Sequence, residues 1–591
     1  MVEEYYKQQV AGFTSQWRNL KRKSRNYLYG KLFFFLAALV LGYNAYSSSS
    51  LLTGTMAALS FLLYLLFYIR DIQCVGRIKT LGAFKQVCEN ELAAIHEDFS
   101  AFDDGEAFVD SHHEYSFDLD LFGPHSLYQR VNRTVTEMGG CRLAHSFSHL
   151  DGTASEIVEN QKAIAELSAM ADWRIRFMAN TKVQGDMASL VQTIAQEQYG
   201  KFLLHSSLPW LTVPLAWGML ALAVAGVLPW AGFLLMFSIQ IGITMSVGRV
   251  SSRTSQQIDL LHKAFKGYLP ILESLKTAHF KTEKLSALTG RLFDGDACGY
   301  RAFRQLSTLL SLFNQRSNEL VSALLNGLLL YDVFVVRRFA RWHRSYLAQL
   351  PAWLDAVAEL DKMVSWGNYA FNHPHNVPAE ILPADSEYAV RAEGVYHPFL
   401  NEHKAVPNDF DLQKRHVAIV TGANMAGKST FLRTMGVTYL LACNGVPVCA
   451  KSFRFSVVSL FSSMRTADDL SQNISYFNAE LLRLKQLLHH VKTHDFTLII
   501  LDEILKGTNS RDKLKGSVMF LEEISKYNVS VVVATHDLEL SKMEDRQPEV
   551  YSNYCFEIDL SENVQYSYKI ARGVAKNLNA SYLLQNILKD A

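Results

Sequence analysis

Cysteine pairs at metal-ligand spacing are missing from this chain. Its seven cysteines, at 74, 88, 141, 298, 443, 449 and 555, form no CxxC motif, which argues against a zinc site and suits a reducing compartment. An excess of charge is missing too: 58 Lys and Arg face 57 Asp and Glu, for a formal net charge of +1. No global basic field therefore announces nucleic acid, and any contact with DNA has to be local. No heptad run or short-period repeat stands out, and no small-residue cleavage pattern follows the first apolar stretch. A removable signal peptide is thereby disfavoured.

Charge is also absent locally, in a chain that is 49% hydrophobic and 12% aromatic. Leu51–Ile69, Leu208–Leu228 and Pro229–Val247 carry no charged side chain, and Leu28–Tyr46 carries only Lys31 near its start. Each stretch is long enough to cross a ~30 Å hydrocarbon core. Ser47 to Ser50 joins the first pair, and Trp210, Trp217 and Trp230 mark interfaces of the second. The pattern predicts four membrane helices in two hairpins, 28–69 and 208–247, in contact with lipid.

Orientation follows from basic residues. Arg18, Lys21, Arg22, Lys23 and Arg25 precede the first hairpin and Arg70, Arg77 and Lys79 follow it; Lys201 precedes the second and Arg249 and Arg253 follow that. The short connecting turns carry none, which predicts that both termini face the cytoplasm. Leu320–Val336, interrupted by Asn326 and Asp332, reads as the buried face of one long soluble helix. Arg337, Arg338, Arg341 and Arg344 after it form either a phosphate- or lipid-facing stripe or a solvated helix face.

Chemistry concentrates in the last third. Thr421-Gly422-Ala423-Asn424-Met425-Ala426-Gly427-Lys428-Ser429-Thr430 follows an apolar strand-like run and opens a helix-patterned stretch. Glycines let such a loop turn its N–H groups toward an anion, the helix N-terminus adds partial positive charge, and Lys428 reaches the β/γ-phosphates. Ser429 is then placed to hold Mg²⁺. Thr497–Leu501 reads as a buried strand ending in Asp502-Glu503. A carboxylate there binds the Mg²⁺ sphere and its neighbour orients or deprotonates the attacking water, so Asp502 is assigned to metal and Glu503 to general base. A third strand, Val529–Ala534, ends in Thr535-His536, within reach of a γ-phosphate.

These residues resemble one family. Gly422 to Thr430, then Asp468-Asp469-Leu470 with Ser475, Phe477 and Glu480, then Asp502-Glu503 with Gly507-Thr508 and Asp512, then Thr535-His536 with Glu539-Leu540, resemble the ATPase domain of the MutS mismatch-repair proteins. Upstream, Gly394, His397-Pro398 and Val406–Asp409 resemble the segment leading into that domain. Ser126–Tyr128, Asn132–Thr136 and Gly139 resemble the start of the family's helical lever, and Ala358–Asp361 its return. Ile570–Ala575 and Ala580–Leu584 resemble its closing segment.

The resemblance implies ATP and Mg²⁺ as cofactors and a homodimer in which Ser475 reaches across to the partner's γ-phosphate. DNA, mismatched or branched, is the implied partner, although nothing ahead of the lever can serve as a mismatch wedge and the chain is expected to end without a nuclease domain. Ala423 and Ala426 stand where the family usually has Pro and Gly, Leu505-Lys506 replaces a Gly-Arg type pair, and Asp537 replaces an aromatic residue. Ala405 sits where many members stack an aromatic on the base, so adenine preference rests on the resemblance alone.

The expected architecture is multidomain, α plus α/β. A basic tail (1–27) leads to hairpin one (28–69), a helical lever-like segment (70–200), hairpin two (208–247), a helical arm (250–390) and an ABC-type P-loop ATPase domain (391–591). Two alternatives remain open: a transport-type ATPase, and a membrane scaffold that binds ATP with little turnover and acts on a protein or lipid partner.

Overall fold

The computed structural model describes residues 1–183, 185, 187, 191, 207–246, 265, 267–295, 298–314, 319–401, 404–465, 476–559 and 565–576. It opens on two long helices, α1 (Val2–Ser48) and α2 (Leu51–Ile95), folded back on each other through Ser49, which takes a left-handed φ of 49°. Each contains a window long and apolar enough to cross a membrane, and none of either window is buried. Below the apolar windows the pair is pinned by Asp71, which accepts from Lys31 Nζ at 2.5 Å and Ser24 Oγ at 2.7 Å. The stretch 1–27, expected as a separate tail, is instead the first half of α1. It contains no proline and a single glycine, so nothing interrupts the helix.

A helical body follows: α3 (Leu127–Val131), α4 (Glu137–Ser148), α5 (Ala154–Ala169) and α6 (Ala171–Met178). The second apolar pair is α7 (Leu208–Val224) and α8 (Trp230–Ser246), 17 residues each among the described residues. Of the four crossing helices expected, α1 and α2 are candidates by length and composition among the described residues, and α7 and α8 are a shorter apolar pair there. In the turn between them Gly226 takes a φ of 73° and Pro229 has no N–H.

The body resumes with α9 (Tyr268–Lys276), α10 (Glu283–Phe293), α11 (Gly299–Asn314), α12 (Glu319–Leu329), α13 (Tyr331–Tyr346) and α14 (Leu350–Asn372). The expected single helix over 320–336 is broken at Leu330, which adopts a φ of 48° while Asn326 Oδ1 accepts the Asp332 N–H at 2.9 Å. Helix α14 is buried along most of its length and packs on α4, α5 and α10. Its fully buried Asp361 accepts from Val135 N at 3.1 Å, Thr136 N at 2.8 Å and Thr136 Oγ1 at 2.6 Å. Burial lifts the Asp361 carboxyl to about 7 against the pull of those donors. A Cβ at Gly139 would stand 2.3 Å from the same carboxylate, so only glycine allows this approach. The two lever-like fragments read from the sequence, around Asn132–Gly139 and at Asp361, thus meet in one buried network.

Hairpin one is tied to this body. Glu91 on α2 accepts from Arg133 Nε at 2.5 Å and Asn372 Nδ2 at 2.8 Å, and both members of the ion pair are almost fully buried.

The C-terminal α/β domain contains two sheets. β1 (Glu380–Ile381), β2 (Tyr388–Val395), β3 (Asn408–Gln413) and, later, β5 (Ser452–Phe455) make a four-stranded sheet in the order β1-β5-β2-β3. The larger sheet runs β10-β9-β4-β8-β7-β6, with β4 (Val417–Gly422), β6 (Ser459–Ser463), β7 (Thr497–Asp502), β8 (Val529–Thr535), β9 (Tyr551–Asp559) and β10 (Gln565–Arg572). Strands β4 and β6 to β9 are parallel, and β10 is antiparallel at the edge. Helices α15 (Lys428–Cys443), α16 (Tyr476–Thr493), α17 (Ser510–Ile524) and α18 (Lys542–Arg546) complete the domain. Strands β4 and β8 are buried at every position, as continuous apolar runs covered on both faces require.

Candidate functional site

Parallel strands deliver their C-terminal ends to one edge of a sheet, and the order β4-β8-β7 brings three such ends together here. Thr421 stands in register with Thr535, and Asp502 with Ala534. The loop after β4 turns through Met425 (φ 66°) and Gly427 (φ 105°) before α15 begins at Lys428. A Cβ at Gly427 would lie 3.2 Å from the Tyr568 ring, so this glycine meets both a backbone and a space constraint.

Lys428 Nζ donates to the carbonyls of Gly422 and Ala423, both at 2.8 Å, and lies 3.4 Å from His536 Nδ1. Burial brings this lysine down to about 8, with Asp502 and Glu503 pulling the other way. Ser429 Oγ donates to Asp502 Oδ2 at 2.7 Å, joining the helix that follows the loop to the tip of β7. Two hard oxygen donors at this separation fit a Mg²⁺ ion. His536 Nδ1 lies 3.2 Å from the Gly422 carbonyl, and its pKa is lowered by burial and then by Lys428.

Glu503 has a φ of 63°, and its N–H donates to Ala534 O at 2.9 Å. Its carboxylate is paired with Lys513 on α17. Burial alone would raise the Glu503 pKa, but the hydrogen bond and charge of Lys513 bring it below the ordinary value. Beyond it, buried Glu480 accepts from Lys506 N at 2.9 Å and Gly507 N at 3.4 Å, holding the loop after β7.

Beside the loop lies a cavity of about 490 Å³ bordered by Asn424, Met425, Gly427, Ser429, Thr430 and Tyr568. Val406 and Phe556 also line it. Asn408 fixes this wall by donating to Tyr568 O at 3.1 Å and accepting from Ile570 N at 2.8 Å. On the far side of β6, Asp118 accepts from Ser462 Oγ at 2.7 Å and Arg465 N at 2.8 Å, with Arg483 at 3.4 Å. This docks the segment ahead of α3 onto the strand and helix that flank residues 466–475.

The structure thus brings Gly422 to Thr430, Asp502, Glu503 and His536 to one edge. Ser475, with Asp468 to Leu470, and Ala580–Leu584 lie outside the described residues. Sequence reading missed Lys513, Tyr568 and Asp118. Lys513 left a trace: a cation in the first turn of a helix opposes the helix dipole, so it implies an anion nearby. Tyr568 left none, because it sits in a β-bulge between Tyr566 and Ile570 that breaks strand alternation.

Comparison with known proteins converges on the same region. Residues 418–585 match the family model for MutS domain V. The DNA mismatch repair protein MutS of Acetivibrio thermocellus is 32% identical over 228 residues, 38% of this chain and 26% of that protein. The Aquifex pyrophilus protein of the same name is 34% identical over 195 residues, 32% of this chain and 22% of the relative. Mouse MutS protein homolog 4 is 29% identical over 257 residues, 40% of this chain and 26% of the relative. The chain spans about a quarter of the length of these relatives.

Proposed function

We propose, from the match of residues 418–585 to MutS domain V and the similarity to MutS proteins, that this chain is a Mg²⁺-dependent ATP hydrolase of that family, anchored to a membrane by α1 and α2 and completed as a homodimer. The Ser429–Asp502 bond at 2.7 Å carries this reading, because it unites the phosphate loop and the acidic strand tip at one point. Ser429 and Asp502 would hold Mg²⁺, which would supply neutralisation of phosphate charge. The N–H groups of 422–430 and Lys428 receive the β- and γ-phosphates, and the phosphate charge restores the proton affinity that burial removes from Lys428. Tyr568 offers a flat face to the base. Glu503 takes a proton from the attacking water, and His536 contacts the γ-phosphate. Ser475 acts on the partner's nucleotide, so closure depends on ATP and hydrolysis releases it.

Lys428→Ala is expected to weaken ATP binding itself, read by equilibrium titration. Subunits carrying Lys428→Ala mixed with Ser475→Ala subunits should recover about one working site per dimer, and a mixture that stays inactive argues against the shared site.

Membrane attachment with both termini on the cytoplasmic side is supported by the unburied apolar windows and the basic residues flanking them. DNA is the proposed partner because the relatives are named for DNA mismatch repair. Detergent-solubilised protein should then bind homoduplex, mismatched or branched DNA with an affinity that falls steeply as salt rises. A flat salt response would favour the other reading, an ATPase or scaffold acting on a protein or lipid partner.

A further inference from the structure

The α7–α8 hairpin differs from the α1–α2 hairpin at its tip. The α1–α2 turn consists of serines, Ser47 to Ser50, mostly exposed and suited to water. The α7–α8 turn is Ala225-Gly226-Val227-Leu228-Pro229, which has no polar side chain, and Val227 is 69% exposed. A turn exposed in hydrocarbon must satisfy its own backbone donors. This one does: Ala225 N donates to Ala221 O at 2.9 Å, Gly226 N to Ala223 O at 3.1 Å, and Val227 N and Leu228 N to Leu222 O at 2.9 and 3.2 Å. Pro229 has no N–H to satisfy.

The rest of the element agrees. No charged side chain occurs from 208 to 246. Leu211, Leu215, Leu235 and Ile239 are exposed, and large apolar side chains uncovered together on one element mark an interaction surface. The one buried side-chain amide in the pair, Gln240, donates through Nε2 to Thr212 O at 2.9 Å, while its Oε1 has no partner among the described residues. Helix α12 joins the pair: Gly327 abuts the Phe237 ring so closely that a Cβ there would fall 2.1 Å from it, while Leu324 on α12 is 58% exposed. Directly after α12, α13 exposes Arg338, Arg341 and Arg344 at three-residue spacing, one face suited to anionic headgroups.

We propose that α7, α8 and α12 form a monotopic wedge that enters the bilayer from the side of the ATPase domain and keeps its tip within the lipid. This rests on the membrane attachment of α1 and α2 proposed above. The occupant of the apolar face is lipid, and α13 sets the wedge at an anionic surface. One sequence-apolar hairpin crosses; the other stops inside.

The test uses the full chain with exposed Cys141 replaced by Ser, reconstituted in phosphatidylcholine–phosphatidylglycerol vesicles with the ATPase outward. Ser49→Cys and Val227→Cys are treated with an impermeant maleimide from outside or preloaded inside, and NBD-labelled Val227→Cys is examined with doxyl-labelled phosphatidylcholine. Ser49→Cys should react only with the internal reagent. Val227→Cys should react with neither and lose NBD emission to the doxyl lipid. Reaction of Val227→Cys from inside overturns the wedge in favour of a crossing hairpin, and reaction from outside overturns it in favour of a water-facing surface. Protection without doxyl quenching also overturns it, assigning the face to a second copy or another protein. Reaction of Ser49→Cys from outside instead overturns the attachment by α1 and α2, independently of the Val227 result.

Discussion

Glu503→Gln is expected to lower ATP turnover by about 10²–10⁴-fold, the usual contribution of a positioned general base, while leaving ATP binding intact. The side chain stands at the tip of β7 beside the Ser429–Asp502 pair, and the substitution keeps its size and its acceptor oxygen toward Lys513. Phosphate release and equilibrium ATP binding on the same preparation separate the two effects, and unchanged turnover would remove Glu503 from the chemistry. The Lys513 pairing adds a pH signature. Because Lys513 holds the Glu503 carboxyl below its ordinary value, the base form persists to lower pH, and activity is lost only as pH falls through that depressed pKa. Lys513→Met removes the cation and should move the acid limb of the pH–turnover profile upward. A role confined to packing would leave that limb in place.

Glu91→Ala is expected to cost about 3–5 kcal/mol, because it leaves the buried Arg133 guanidinium without its carboxylate. The pair is sealed inside the joint between α2 and the lever-like start, with Arg133 also 3.5 Å from the centre of the Phe102 ring. Denaturant unfolding in detergent measures the loss. Replacing both members, Glu91→Leu with Arg133→Met, should cost less than Glu91→Ala alone, since no buried charge is then stranded. If the single and double variants unfold alike, the pair does not hold hairpin one to the body.

The placement of loop 421–430, the acidic strand tip and His536 at one sheet edge was legible because each is a local pattern: a glycine-bearing turn before a helix, or an apolar run ending in a polar group. The resemblance to MutS could be read the same way, since its motifs are contiguous. Where reading failed, the cause was of another kind. The segment 320–336 looked like one helix by periodicity, yet Leu330 turns left-handed because Asn326 caps the Asp332 N–H. The stretch 1–27 looked like a tail because it is polar, yet helix α1 runs through it and buries Tyr6 against the body, with Tyr6 Oη 3.0 Å from Asn372 Oδ1.

By itself the sequence determined the glycine loop that opens α15, the acidic strand tip and the absence of charge in the apolar hairpins, since backbone conformation at a glycine loop and transfer into lipid depend on residue type and spacing over short distances. Tertiary structure alone decided what those elements touch: that Glu503 faces Lys513, that Glu91 meets Arg133, that Asp361 gathers the donors of Val135 and Thr136, and that α12 rests on α8. Such contacts join residues up to hundreds of positions apart. Their partners are chosen by sheet order and by which buried charges find compensation, and apart from the cation in the first turn of α17 no local pattern carries that information.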